Sequence, residues 1–505
     1  MQAMVKPIYS TSSIEEKIST GCSGLDDVLR GGLPAGHIYL LEGPAGAGKT
    51  TLGLQFLLEG VRSGERVLWC TLAETESQLM ATARSHRWDL TGVDIVNLAE
   101  VDTGEAEGDY SFFSPSDVEL NDVVARIFRV TEELRPSRVV FDPFSDVRLL
   151  ARDPLRFRRQ LLRLREHFSA LGATVLLIQE AGLHGNNDEA GEGVVHGIIS
   201  LYQHAPDYGK QRRRLRVHKM RGVAMQEGFH DTAIHMGGVV VYPRLVANEH
   251  DAESESVGRG TTLTSGSEVL DGMLLGGLDR GSSLLVTGPS GIGKSTLCMQ
   301  FMNALAERGG RAAVYLFDET RRVFLSRADA LGMCTRARVD SGNITLRQID
   351  PAEFSPGEFA HLIRRAVEED GVTMVVIDSL NGYLTAMPDE KHLAMHVHEL
   401  LTYLSNRDVA TLLTLNQQGF VGEPSGSPLD VTYLTDAAML LRYFEDDGEI
   451  RRALSVIKRR VGGHESTIRE FRIGLPGLHV QEPLRGYHAL LSGMPVAKGD
   501  ETRAT

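Results

Sequence analysis

A chain of 505 residues, 42% hydrophobic and 24% charged, has the make-up of a globular protein and is long enough for two full domains. Its formal net charge of −14 argues against a general nucleic-acid sleeve, whose affinity rests on Lys and Arg neutralising phosphates. With no run of eighteen apolar residues, no signal-peptide stretch in residues 1–20 and no C-x-x-C among Cys22, Cys70, Cys298 and Cys334, a cytoplasmic protein is expected that neither spans nor binds a membrane.

The first element in chain order is a lead-in from Thr20-Gly21 to Gly31-Gly32-Leu33, followed by the apolar run Ile38–Leu41, which predicts a strand. Behind it stands Gly43-Pro44-Ala45-Gly46-Ala47-Gly48-Lys49-Thr50, with the spacing G-x-x-x-x-G-K-[ST] of a phosphate loop. Its glycines let backbone N–H groups wrap phosphates, Lys49 reaches the terminal phosphates, and the Thr50 hydroxyl takes a place on Mg²⁺. Thr51 continues into a helix whose positive end favours an anion. Apolar strands are then expected at Arg66–Thr71, Arg138–Asp142 and Thr174–Gln179. Asp142 ends its strand where ligands gather in open α/β sheets and reads as a carboxylate holding Mg²⁺. Ala73-Glu74 ends another strand, and Glu74 is a candidate to orient or deprotonate the nucleophile that attacks a γ-phosphate. The stretch Arg156–Arg165 reads as a basic surface helix, with Leu155, Leu161, Leu162 and Leu164 on one face and the arginines largely on another. Late in this half an antiparallel strand is expected at Leu215–Lys219, followed by Lys219-Met220-Arg221-Gly222, whose Lys and Arg alternate onto one face.

The acidic, small-residue stretch 247–260 has too little apolar content to pack and reads as a linker. Beyond it the pattern returns. An offset of 245 residues aligns Thr20-Gly21 with Ser265-Gly266, Leu25-Asp26 with Leu270-Asp271, and Gly31-Gly32-Leu33 with Gly276-Gly277-Leu278. The strand Leu284–Thr287 leads into a second phosphate loop, Gly288-Pro289-Ser290-Gly291-Ile292-Gly293-Lys294-Ser295, continued by Thr296. Strands are expected at Ala312–Phe317, Thr373–Asp378 and Thr411–Asn416, and an antiparallel one at Ala453–Lys458. Asp378 and Ser295 repeat the metal-ligand pair, Asp318-Glu319 the strand-end acids, and Lys458-Arg459-Arg460 the late basic pair. In a closed ring such basic side chains would stabilise transition-state charge on a neighbour's γ-phosphate, as arginine fingers do, whereas in isolation a K-x-R pair reads as a solvated face. His392, His396 and His398 crowd one helix without completing H-E-x-x-H, so a surface helix is expected there. Asn416-Gln417-Gln418 ends a strand beside the second site, as a γ-phosphate sensor or a plain turn.

Two loops in matching contexts predict an α/β protein of two tandem RecA-like P-loop NTPase domains, each a mostly parallel sheet flanked by helices. The boundaries expected are 1–246 and 261–485, with the linker at 247–260 and a tail at 486–505. Together with the strand-end acids, the late K-x-R pairs, Thr435-Asp436, Phe471-Arg472-Ile473 and the closing 486–495, these motifs resemble the KaiC-like family over about residues 12–490. The resemblance implies an ATPase that autophosphorylates on serine or threonine, a homohexamer of stacked rings with ATP and Mg²⁺ at subunit interfaces, and the basic pairs acting in trans. It marks Glu74, Asp318 and Glu319 as catalytic acids and Lys219, Arg221, Lys458, Arg460 and His464 as nucleotide contacts. Thr432-Tyr433 stands where the family carries an adjacent Ser-Thr phosphorylation pair. Asp318 replaces the family's glutamate base, Ala73 replaces the corresponding glutamate of the first domain, and Met225 stands at the spacing of His464. Signalling partners such as a histidine kinase, a response regulator or a KaiB-like protein fit this picture. Regulation by KaiA does not, since only 496–505 follow the closing motif, and nucleic acid is not expected. The alternatives are a RecA/RadA-like DNA-dependent ATPase of recombination or repair and a nucleotide-gated scaffold with little turnover.

Overall fold

The computed structural model describes residues 16–72, 75–98, 120–151, 153–180, 192–206, 208–246, 262–385, 393–417, 432–485, 487–488 and 496–497. The chain forms two compact units, one of Met1–Asp207 with Gln211–Arg244 and the other of Tyr208–Lys210 with Leu245–Thr505.

The first unit is built on nine strands: β1 Ile38–Gly43, β2 Val67–Thr71, β3 Val93–Asn97, β4 Arg138–Phe141, β5 Thr174–Glu180, β6 Gly197–His204, β7 Arg212–Met220, β8 His230–His235 and β9 Gly238–Tyr242. Their spatial order is β9-β8-β7-β6-β1-β5-β4-β2-β3. The strands from β6 through β3 in that order are parallel, and β7 to β9 extend the sheet antiparallel. The second unit repeats the order strand for strand, with β10 Ser283–Gly288, β11 Ala312–Leu316, β12 Ile344–Gln348, β13 Met374–Asp378, β14 Ala410–Asn416, β15 Ala437–Asp446, β16 Glu449–Arg459, β17 Arg469–Gly474 and β18 Gly477–Pro483. This is the expected pair of RecA-like folds.

The central strands read as unbroken apolar runs because both faces are covered. Trp69, Val140 and Ile178 pack with Leu52, Phe56 and Leu57 of the helix Lys49–Arg62 on one face. Leu68, Val139 and Leu177 pack with Val123, Ile127 and Phe168 on the other. The helix Pro154–Leu171 buries Phe157, Leu161, Leu164 and Phe168 and leaves its arginines outward; Leu155, expected on the apolar face, is 71% exposed in the first turn. Of the three crowded histidines, His396 and His398 lie on the helix Leu393–Asn406, and His392 lies outside the described residues.

The repeated lead-in has a chemical purpose. Asp26 accepts from the Thr20 backbone N–H (2.8 Å), and Asp271 accepts from that of Ser265 (2.7 Å). Each carboxylate thereby fixes the turn that feeds a short strand pair, Lys17–Ile18 with Leu33–Pro34 and Thr262–Leu263 with Leu278–Asp279.

Candidate functional site

Both phosphate loops leave the C-terminal end of a central parallel strand, the place where an open α/β sheet receives ligands. The strands run past the apolar pattern, by two residues to Gly43 and by one to Gly288. The glycine before each lysine is left-handed, Gly48 at φ 103° and Gly293 at φ 122°, which turns the chain into the helices that begin at Lys49 and Lys294. A Cβ on Gly293 would stand 2.8 Å from Ile473 Cδ1, so the position excludes a side chain for space as well as for φ. Ala47, Thr51, Ile292 and Thr296 are buried, so these positions offer a phosphate their backbone only, while Ala45, Gly46, Ser290 and Gly291 form the exposed rim.

Lys49 Nζ donates to the carbonyls of Gly43 and Pro44 (2.8 Å each), and Lys294 Nζ to those of Gly288 (2.9 Å) and Pro289 (2.8 Å). Burial pushes both ammonium groups below their ordinary pKa; Lys294 is only 6% exposed and falls to about 8, with Asp378 and Asp318 opposing the shift.

The strand-end aspartates stand beside these loops. In the first unit Thr50 Oγ1 donates to Asp142 Oδ2 (2.6 Å), which brings the expected metal ligands together. In the second, Asp378 Oδ1 accepts from Thr414 Oγ1 (2.5 Å), and its buried Oδ2 has no hydrogen-bond partner among the described residues. A hard cation suits that orphaned oxygen. No cluster of three or more His, Cys, Asp or Glu able to hold a metal occurs among the described residues. Mg²⁺ bound by one carboxylate and a hydroxyl together with substrate phosphates needs no such cluster. Sequence patterns do not single out Thr414, though a Thr on the strand neighbouring a strand-end aspartate is a readable position.

Beside Asp378, Asp318 Oδ2 accepts from the Ser379 hydroxyl and, at 3.5 Å, from Asn416 Nδ2. Glu319 is instead paired to Arg327 (2.6 Å); burial raises its pKa and Arg327 opposes the rise. Ala73, Glu74 and Gln418 lie outside the described residues.

The K-x-R pairs stand elsewhere. Lys219 and Lys458 lie on β7 and β16, but Arg221 and Arg460 follow the strand ends, so the expected alternation along one strand is not what aligns them. What aligns them is a shared turn. Lys219 Nζ donates to the Glu192 and Val195 carbonyls (2.6 and 3.1 Å) and Arg221 to Gly193 O (2.6 Å). Lys458 donates to the Thr432 and Thr435 carbonyls (2.8 and 2.5 Å), and Arg460 to Tyr433 O. Thr432 and Tyr433 begin a short 3-10 turn, with Tyr433 58% exposed. His464 is half-buried, its Nδ1 3.0 Å from the Glu465 carbonyl.

Sheet register fixes the distance between the two sets. Met220 pairs with Gly197, which is level with Tyr39, four residues before Gly43. Arg459 pairs with Ala437, level with Leu284, four residues before Gly288. Four residues of strand span about 13 Å, so in each unit the K-x-R pair lies at the opposite end of the sheet from that unit's own phosphate loop.

No helix among the described residues is long and apolar enough to cross a membrane. The family model for the KaiC ATPase matches residues 18–246 and again 263–485. The chain is 29% identical over 490 residues to the circadian clock protein KaiC3 of Synechocystis sp., covering 95% of each chain. It is 27% identical over 489 residues to the circadian clock oscillator protein KaiC of Synechococcus elongatus, covering 95% of this chain and 92% of that one. With two copies of the nucleotide fold, each carrying its loop, aspartate and basic pair in register, the chain belongs to the KaiC family of ATPases.

Proposed function

We propose that this protein is an ATP-driven ring, the homohexamer its family resemblance implies, in which each nucleotide site is completed by the K-x-R pair of a neighbouring copy. The observation that carries this reading is the separation of loop and K-x-R pair across each sheet, which keeps a chain's own basic pair from its own γ-phosphate. The second unit then transfers that phosphate to Thr432 of the neighbour, because the turn bearing Thr432 is bound to Lys458 and travels with it.

In this reaction Asp318 accepts the Thr432 hydroxyl proton, the Oγ–P bond forms, and the bond between the γ-phosphorus and the bridging oxygen breaks, with its electron pair leaving on ADP. Asp318 is preferred to Glu319 as base because Glu319 is engaged by Arg327, whereas Asp318 adjoins the metal aspartate through Ser379. Lys294 and the neighbour's Lys458 and Arg460 meet the charge that develops on the transferring group. Bound Mg²⁺ supplies further positive charge on the phosphates; Asp378 and Ser295 would hold it. A phosphothreonine adds about −1.5 to −2 charges beside Lys458 and Arg460, which biases ring contacts and makes the chain a signalling or timing switch.

The test is phosphopeptide mapping across Pro424–Arg442 after incubation with Mg-ATP, followed by mixing two variants. Lys294→Ala chains lack a working second loop and Thr432→Ala chains lack the acceptor, so neither is labelled alone. Phosphate on the Lys294→Ala chain in the mixture shows transfer between copies. A labelled wild type with an unlabelled mixture overturns it, and an unmodified wild-type peptide alongside ADP release leaves an ATPase whose output lies in its partners.

A further inference from the structure

The two loops differ in the residue that stands level with them on the neighbouring strand. Gly43 pairs with Glu180 at the end of β5, and Gly288 pairs with Asn416 at the end of β14. In the second unit the Asn416 amide reaches Asp318 Oδ2 at 3.5 Å. The first unit has Ala73 at the sequence position of Asp318, 245 residues earlier, and so has no carboxylate to offer from that position. What is an Asp and an Asn in one copy is an Ala and a Glu in the other.

Sheet and helix together aim Glu180 at the first loop. Leu176 and Ile178 pack on the face that carries the helix Lys49–Arg62, whereas Val175 and Leu177 pack on the other, so alternation puts Glu180 on the helix face. That helix runs from the loop back across the sheet. At Gly60 a Cβ would meet Val67 Cγ1 (2.7 Å) and Arg138 Cδ (2.8 Å), the first residues of β2 and β4, and at Gly53 it would meet Ile178 Cδ1 (2.9 Å). From the contact at Gly53, Lys49 lies four helical residues, about 6 Å, nearer the loop, and Glu180 two strand residues, about 7 Å, in the same direction. The two side chains therefore face each other, and Phe141 pairs with Leu177, so Glu180 stands two residues beyond Asp142 toward the ligand end. Burial lowers the Lys49 pKa, and Asp142 and then Glu180 oppose the fall. Glu180 is exposed, and its carboxylate accepts no hydrogen bond among the described residues. Glu42, one residue before Gly43, is taken up on the opposite face by Ser200 Oγ (2.5 Å).

We propose that Glu180 is the general base of ATP hydrolysis at the first loop, a catalytic acid carried by the sheet strand beside the loop. Its carboxylate takes a proton from water and the water oxygen bonds to the γ-phosphorus. The bond from that phosphorus to the bridging oxygen breaks with its electron pair leaving on ADP, and the proton passes to solvent as inorganic phosphate departs. Lys49, across from Glu180, meets the charge on the transferring group. The exchange of amide for carboxylate also separates the two reactions: the nucleophile is water in the first unit and a protein hydroxyl in the second. The inference needs hydrolysis at the first loop and depends neither on the ring nor on transfer to Thr432.

Turnover of the full chain in the Lys294→Ala background tests it, since ADP release there reports the first loop. Glu180→Gln lowers kcat about 100-fold or more, the usual worth of a general base, while affinity for a non-hydrolysable ATP analogue changes by less than about threefold; Glu180→Asp keeps part of kcat. Glu74→Gln, which removes the other candidate acid of this unit, costs less than Glu180→Gln. If Glu180→Gln fails to bind the analogue, Glu180→Asp decides. Analogue bound with kcat lowered about tenfold supports the base, and binding lost there too assigns Glu180 a structural role and overturns it. The proposal is also overturned if Glu180→Gln turns over like its parent, if Glu74→Gln costs more, or if the Lys294→Ala chain releases no ADP while the wild type does, which leaves the first loop without a reaction to catalyse.

Discussion

Lys294 ties the chemistry of the second loop to pH in a way that can be read quantitatively. Its ammonium falls from an ordinary 10.5 to about 8 because burial disfavours the charge, an effect worth ~3 kcal/mol. With the folded value lowered, the unfolded chain binds more protons between pH 8 and 10.5, so stability rises with pH across that window and the full cost is present below it. Nucleotide binding has the opposite dependence. A triphosphate favours the protonated lysine, so above pH 8 the empty protein must take up a proton to bind it. From pH 7.5 to 9.5 the protonated fraction of a group with pKa near 8 drops about twenty-five-fold, and affinity at the second loop should weaken by a similar factor. Isothermal titration with a non-hydrolysable ATP analogue and Mg²⁺ reads both the affinity and, from buffers of different ionisation enthalpy, the proton uptake. Lys294→Arg keeps its charge throughout and should flatten the profile of this site. A wild-type second site with pH-independent affinity and no uptake, or a profile that Lys294→Arg leaves unchanged, refutes the reasoning.

Three further outcomes follow from individual contacts. Arg327→Ala removes the cation that opposes burial at Glu319, so the Glu319 pKa should climb further; with Asp318 as the base the acid limb of second-unit turnover should stay in place, and a limb that moves to higher pH argues that Glu319 is the working acid. Arg138, 2% exposed, bonds Glu65 through two nitrogens (2.7 and 2.8 Å) and the Ser19 and Phe56 carbonyls (2.7 and 3.0 Å). Arg138→Ala should lower first-unit stability by about 3 kcal/mol, seen as a lower denaturant midpoint for Trp69 and Trp88 fluorescence, and a shift under about 1 kcal/mol contradicts the pairing. Gly293→Ala places a methyl group against Ile473 at a left-handed φ and should abolish nucleotide binding at the second loop while leaving the first saturable, which a two-site isotherm distinguishes.

Legibility followed the range of the signal. The loops, the aspartates Asp142 and Asp378 and the apolar strands are local patterns with fixed spacing, and each stands at its expected place on the sheet. Leu155 failed because the 3.6-residue period says nothing about where the first turn leaves the core. The K-x-R pairs were legible as pairs, but not their anchorage. A bulge at β6–β7 and at β15–β16 shifts the register before each lysine, and the carbonyls that receive Lys219 and Lys458 lie 24 and 23 residues away at Val195 and Thr435. Thr414 on Asp378 and Ser379 on Asp318 escaped for the same reason: their partners are neighbours only after strands have paired.

The divergence between the copies has a direction. In the first unit Asp142 is satisfied by Thr50 through a normal hydrogen bond. In the second, one oxygen of Asp378 is buried without a partner, Lys294 is more deeply buried than Lys49, and Glu319 is pushed toward its neutral form. An unsatisfied buried acceptor costs about 1–3 kcal/mol and a depressed lysine adds to it. Both costs are relieved by the same event, the arrival of a metal-bound triphosphate between Lys294 and Asp378. The second unit therefore couples its own stability to nucleotide more steeply than the first, and that unit also carries Thr432 on the turn its basic pair grips. The first unit satisfies its aspartate internally. The two copies share one fold, and the second is the one whose loop responds more steeply to nucleotide.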